Sequence, residues 1–271
     1  MTFEEVREIA AEQYGLFTTA QAENLDLTRL KVHRLAQAGR IRQVRRGVYS
    51  TEPFQSDNLE DLRAAWLSLD PAKTVAERLA DDACAVAATS SAAHVFGIGN
   101  LMTYKHEFFS PQRKQSRADD LHIRVRTIPA ADLVTAQGIR ITTVTRTVLD
   151  LLADGEELEH ISALLLEAVQ KNLDIDWQRL HKESARFEKV YGVNGADIFS
   201  ALFSAASNEV EQASFAQDIA RQNFPGISEQ VAKIWSQQLE LMLHNITENY
   251  PTSKTSLFGK VAEPQEATDE S

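Results

Sequence analysis

From Thr28 to Arg46 the chain carries seven Lys or Arg side chains (Arg29, Lys31, Arg34, Arg40, Arg42, Arg45 and Arg46) and no Asp or Glu, in a 271-residue protein of formal charge -11. Charge of this density must stay at the surface, so the segment has to fold as elements with one apolar face and one solvated or ligand-bearing face. The same stretch is closely punctuated. Phe17-Thr18-Thr19 offers a threonine cap for a short helix through about Asn24, because a threonine oxygen can accept from the open backbone amides of a first turn. Thr28 offers a second cap for a helix through about Ala38, which Gly39 ends. Ile41-Arg42-Gln43-Val44 and Val48-Tyr49-Ser50 then alternate like two strands joined through Arg45-Arg46-Gly47. Upstream, Phe3, Val6, Ile9 and Ala10 recur at helical spacing in a helix that ends at Gly15. Helix, short helix, helix, hairpin is the order of a winged helix-turn-helix.

On the longer basic helix, Val32, Leu35 and Ala36 share the face that packs against Phe17, Leu25 and the first helix. Leu30, Lys31, Arg34 and Gln37 then face outward, flanked by Arg29 and His33. Laid in a DNA major groove, such a helix brings Thr28, Arg29, Lys31 and Arg34 to the duplex, and the hairpin adds Arg42, Arg45 and Arg46 as a wing beside the groove. Arginine can fork onto guanine O6 and N7, whereas lysine and threonine more often hold phosphate. A merely solvated basic face would carry the same charges. The ordered succession of caps, glycine stop and arginine-bearing hairpin is what favours DNA.

The basic character is local. Residues 1–50 hold 8 basic and 6 acidic side chains, net +2, which leaves -13 on residues 51–271. The acidic remainder would be repelled by phosphates unless it faces away from them or meets a basic partner. The single cysteine, Cys84, lies in the apolar run ACAVAA, which excludes an intramolecular disulfide and a cysteine-rich zinc site and reads as a buried structural thiol. The opening MTFEEVREIAAEQYG lacks the basic start and apolar core of an export signal, and no run of ~18 apolar residues follows. A cytoplasmic protein with no membrane partner is expected.

Beyond the hairpin, Pro53 to Asp57 reads as a connector, and Leu59 to Leu69 as an amphipathic helix with Leu62, Ala65, Trp66 and Leu69 on one side. Ala83 to Ala88 suits a short buried strand, and TSSAAHVFGIGN a helix ending at Gly97 or Gly99. HEFFS, LHIRVR and GIRITTV have strand composition, with loops at Pro111 to Asp120 and Pro129 to Gly138. Thr145 is placed to cap RTVLDLLAD, and Leu158, Ile161, Leu165, Ala168 and Val169 mark a further helix. From Gly195 onward the pattern is helical, with stripes at Ile198, Phe199, Leu202 and Phe203 and from Val231 to Ile246, before a polar tail. The expected class is α+β: a winged helix-turn-helix domain over 1–52, a larger mixed α+β domain with a helical C-terminal part over 58–250, and a flexible tail over 251–271.

Chemistry is not indicated. His33, His94, His106, His122, His160, His181 and His244 form no metal-ligand spacing with Cys or carboxylates, and His94 on AAHVFG reads as a core histidine. Ser90-Ser91 with His94 lacks the glycine pattern of a nucleophile elbow, and GIGN has no following Lys-Ser or Lys-Thr to hold phosphate. Asp174, Asp176, Glu183, Glu188 and Lys189 are the residue types of a metal-dependent nuclease, but they stand in helix-like sequence without the strands such a site needs. A non-enzyme without cofactor or metal is expected.

Three segments in order, GLFTTAQAENLDLTRLKVHRLAQAGRIRQVRRGVYS, AVAATSSAAHVFGIG and GIRITTVTRTVLDLLADG, resemble the AbiEi-like antitoxins of bacterial toxin–antitoxin operons over roughly residues 1–180. The resemblance implies an N-terminal domain that binds double-stranded operator DNA and represses its own operon, and a larger domain that counters a nucleotidyltransferase-like toxin. It places DNA contacts at Thr28, Arg29, Lys31, Arg34, Arg42, Arg45 and Arg46. Arg146 in TVTRTVLD matches a recurrent arginine of the family and also stands at ion-pair spacing from Asp150. A free-standing regulator, with a second domain for ligand binding or oligomerisation, would use the same DNA residues.

Overall fold

Residues 3–51, 57–101, 105–114, 116, 118–192 and 198–204 are described by the structure, a computed structural model. All of them fall in Met1–Ile219, one of two units into which the chain divides. The connector around Pro53, the stripe from Val231 to Ile246 and the tail over 251–271 lie outside the described residues.

The described part is a mixed α+β structure with two sheets. It begins with α1 (Phe3–Ala11), β1 (Leu16–Thr18), α2 (Thr19–Asn24), α3 (Arg29–Gln37), β2 (Arg42–Arg45) and β3 (Val48–Ser50). The three strands form an antiparallel sheet in the order β1-β3-β2. Both threonine caps form. The Thr18 hydroxyl accepts from the Gln21 amide while the Gln21 side chain accepts from the Thr18 amide, a reciprocal box that satisfies two open donors. Strand β1 was not expected. Leu16, Phe17 and Thr18 are only three residues long, too short to show an alternation of their own, and they are strand because β3 lies beside them.

Strands β1 and β3 of that small sheet are buried on both faces. Phe17 and Tyr49 stack at 5.8 Å and join Val6, Ala10, Ala22, Leu27, Val32 and Ile41 in an N-terminal core. Their chain neighbours Leu16 and Val48 point the other way, into a second core with Leu62, Trp66, Phe108, Ile139 and Ile141. Alternation thus sends successive residues of one strand into two different cores.

The second core is built from α4 (Glu60–Ser68), α5 (Val75–Leu79), β4 (Val86–Ala87), α6 (Thr89–Phe96), β5 (His106–Ser110), β6 (Leu121–Val125), β7 (Leu133–Ala136) and β8 (Ile139–Thr142). The strands form a five-stranded mixed sheet in the order β6-β5-β4-β8-β7, with β4/β8 and β5/β6 parallel and the other pairs antiparallel. Helices α7 (Val144–Asp154), α8 (Leu158–Gln170), α9 (Trp177–Ser184), α10 (Glu188–Tyr191) and α11 (Ile198–Ser204) follow.

Four expectations are corrected. The loop expected over Pro129 to Gly138 contains β7, which turns through Gln137 and Gly138 (φ 49° and 74°) to pair with β8. The strand expected over Ala83 to Ala88 is only Val86–Ala87, since Asp81 turns the chain just before it by accepting from the Ala83 and Cys84 amides. Thr143, not Thr145, caps α7 by accepting from the Arg146 amide, and Thr145 instead accepts from the Asp176 amide at the start of α9. His94 is exposed, with Nε2 at 2.8 Å from the Asn58 carbonyl, because it falls on the outer side of α6. Helix α4 is also more enclosed than an amphipathic pattern implies. Buried Arg78 donates to the carbonyls of Trp66, Leu67, Asp70 and Lys73, satisfying oxygens left open where α4 ends.

Candidate nucleic-acid interface

Helix α3 is positioned by its ends and by one buried stripe. Asp26 in the left-handed region (φ 58°) turns the chain out of α2, and the Thr28 hydroxyl accepts from the Lys31 amide to open α3. At the other end Gly39 (φ 67°) lets the Arg40 amide return to the Leu35 carbonyl at 3.0 Å. Val32 is fully buried, with Leu35 and Ala36 packed beside it. Thr28, Arg29, Leu30, Lys31, His33, Arg34 and Gln37 are all exposed, as the spacing predicts. Leu30, within the same cationic face, is 58% exposed.

The expected DNA residues divide into two groups. Thr28, Arg29, Lys31, Arg34 and Arg46 are exposed. Lys31, Arg34 and Arg46 have no acidic partner among the described residues, so their charge is available to solvent or a ligand. Arg29 is held by Glu23 of α2, with Nε at 2.8 Å from Oε1 and Nη2 at 3.2 Å from Oε2. The Glu23 hydrogen bonds make the Arg29 guanidinium still harder to deprotonate.

Arg42 and Arg45 are turned inward. Arg42 Nη2 donates to Glu60 Oε1 at 2.6 Å, and Arg45 Nη2 to Asp120 Oδ1 at 2.8 Å. The Arg45 side chain is only 14% exposed. Strict alternation along β2 would place Arg45 on the same side as exposed Gln43. The pairing with β3 shifts between Gln43 and Arg45, and that irregularity re-aims Arg45 toward Asp120. Of the wing arginines expected at DNA, Arg46 at the hairpin turn is the one left pointing to solvent without an acidic partner among the described residues.

Other polar clusters are internal. Asp132, 1% exposed, accepts from Arg146 and Arg179, while Asp150 accepts from Arg126 and Arg146. Arg146 therefore makes the expected pair with Asp150, at 2.8 Å, and a second one with Asp132. Two of the residues considered for a nuclease serve structure: Asp176 caps α9 and Glu183 pairs with Arg179 at 2.7 Å. Cys84 is buried, and that burial pushes its thiol pKa up. Among the described residues no group of three or more His, Cys, Asp or Glu could hold a metal ion, and no helix is long and apolar enough to cross a membrane.

The exposed basic face borders one residue that sequence reasoning did not single out, Glu23, which pairs with Arg29. It lies on a different helix from Arg29, outside the three- and four-residue spacing that reveals side-chain pairs. Residues 4–51, from α1 to just past β3, match the family of transcriptional regulators described as AbiEi antitoxin. No curated protein matches the chain.

Proposed function

We propose that this protein is a DNA-binding transcriptional regulator of the antitoxin type, with the winged helix-turn-helix formed by α1 to β3 as its reader. The observation that carries this reading is the acid-free outer face of α3, exposed over Thr28, Arg29, Leu30, Lys31 and Arg34, within the stretch that matches a regulator family. The succession α1, β1, α2, α3, β2, β3 with strand order β1-β3-β2 suits α3 as the helix that enters the major groove and the β2–β3 turn as the wing. Lys31 and Arg46 would supply phosphate-facing charge, and Arg29 and Arg34 would read base edges. Arg42 and Arg45 hold the wing against Glu60 and Asp120 and become DNA contacts only if those pairs open.

Binding of operator DNA would repress the operon, and the rest of the chain would counter a nucleotidyltransferase-like toxin. Residues after Thr51 lie outside the family match, so that second activity rests on the resemblance of AVAATSSAAHVFGIG and GIRITTVTRTVLDLLADG alone. The test has two arms. Binding of the full-length chain to the DNA upstream of its own gene should weaken when Lys31 and Arg34 are both replaced by Ala; unchanged affinity would remove α3 from the interface. Co-expression with the product of the neighbouring gene should rescue growth; a harmless neighbour, or toxicity without rescue, would leave a regulator that acts without a toxin.

A further inference from the structure

We propose that Glu23 is a positioning residue for base recognition, holding the Arg29 guanidinium so that its open edge meets O6 and N7 of one guanine. This inference rests on the DNA-reading role proposed above. Glu23 is on the last turn of α2 and Arg29 is the first residue of α3, so the pair spans the turn between the two helices. The carboxylate uses both oxygens, one on Nε at 2.8 Å and one on Nη2 at 3.2 Å. A guanidinium has five N–H groups in one plane. The side-on contact consumes the Nε hydrogen and one hydrogen of Nη2. Both hydrogens of Nη1 and the second hydrogen of Nη2 remain, and the Nη1/Nη2 edge presents the two parallel donors that fit guanine.

Accessibility supports the same reading, since the Arg29 side chain is 78% exposed and that of Glu23 38%. An ion pair this open adds little to folding stability. It does restrict where a long, rotamer-rich side chain points, and so removes in advance part of the ordering that binding would otherwise require. Of the three cations on α3, Arg29 alone has a carboxylate partner among the described residues, while Lys31 and Arg34 are unrestrained. Its place in the first turn is where base-facing residues of a recognition helix sit.

A carboxylate near DNA repels phosphates, and this gives the test opposite signs for two readouts. A duplex is first selected from a random pool with the full-length wild-type chain. Binding of wild type, Glu23→Gln and Arg29→Ala is then measured on that duplex, on versions with each guanine replaced by adenine or 7-deazaguanine, and on an unrelated duplex. Arg29→Ala should lose roughly 5- to 150-fold of preference at one guanine. Glu23→Gln should lose most of that same preference while its affinity for unrelated DNA rises, because a negative charge has gone. At that position 7-deazaguanine, which lacks N7, should weaken wild type and leave Arg29→Ala unaffected. Wild-type guanine preference in Glu23→Gln overturns the inference, as does an equal fall in both affinities, which would make Glu23 a support for the fold. If the wild-type chain enriches no sequence at all, the DNA-reading role itself fails and the inference falls with it.

Discussion

Arg45 Nη2 lies 2.8 Å from Asp120 Oδ1, which ties the hairpin beside α3 to the turn that leads into β6. A hairpin arginine committed to a carboxylate of the same chain cannot at the same time neutralise a phosphate. Replacing Asp120 with Ala should release Arg45, raise affinity for unrelated DNA and steepen the dependence of log affinity on log salt by about 0.9. A salt titration checks this, and an unchanged slope would show that Arg45 stays in a structural role. The stability cost should be about 1 kcal/mol or less, since the Asp120 side chain is 47% exposed.

Leu30 projects from the cationic face of α3 without a place in the N-terminal core. With α3 in the major groove as proposed, an apolar side chain there would meet a thymine methyl group. Changing one thymine of the selected duplex to deoxyuridine should cost wild type about 1 kcal/mol at one position, and should cost Leu30→Ala nothing there. Equal losses for both proteins at every thymine would make Leu30 a bystander.

Asp132 connects the loop before β7 to α7 and α9 through Arg146 and Arg179. Hydrogen bonds from Arg179, followed by those from Arg146, hold its carboxyl below the usual carboxylate range. A carboxyl with a depressed folded-state pKa contributes stability above its unfolded value, near pH 4, and that contribution is lost as pH falls through the lower folded value. Asp132→Asn should lower stability by about 3 kcal/mol at pH 7, because it leaves two arginines with one fewer partner. Urea unfolding from pH 7 down to pH 3 should show the gap between variant and wild type narrowing at the acid end. A gap independent of pH would mean the carboxylate charge contributes nothing.

Arg78 is 2% exposed and makes no ion pair among the described residues, a costly setting for a cation unless its donors are used. They are used on four carbonyls around the end of α4, and the guanidinium lies 5.2 Å from the Trp66 ring centre. Burial pushes its pKa down, against smaller opposing effects of Cys84 and Asp70. Arg78→Met keeps much of the volume but strands those oxygens, so it should destabilise by roughly 3 kcal/mol or more in urea unfolding. A loss under 1 kcal/mol would show that water replaces the guanidinium.

Features set by neighbours in the chain were legible. A threonine of the Thr18-Thr19 pair, Thr18, caps α2, Thr28 caps the helix assigned to it, Gly39 ends α3, and the split of Val32 from Lys31 and Arg34 follows from helical period alone. Features set by partners distant in the chain were not. Strand β1 depends on β3, β7 on β8, and the exposure of His94 on which side of α6 the sheet covers. The expected wing shows the limit most clearly. Arg42, Arg45 and Arg46 look alike in RQVRRG, yet Glu60 takes the first, Asp120 the second, and Arg46 alone has no acidic partner among the described residues.

By itself, then, the sequence determined the basic, acid-free stretch, the capped helices with their inward and outward faces, and the hairpin after them, because period, caps and glycines act within a few residues. Only the tertiary structure decided which cations remain exposed and which are tied down. Successive residues of β1 and β3 enter two cores, Phe17 and Tyr49 one, Leu16 and Val48 the other. That two-sided burial brings α4 and the sheet against the hairpin, where carboxylates far along the chain can reach its arginines. Ion pairing depends on distance in space, and no local pattern encodes a contact between residue 45 and residue 120.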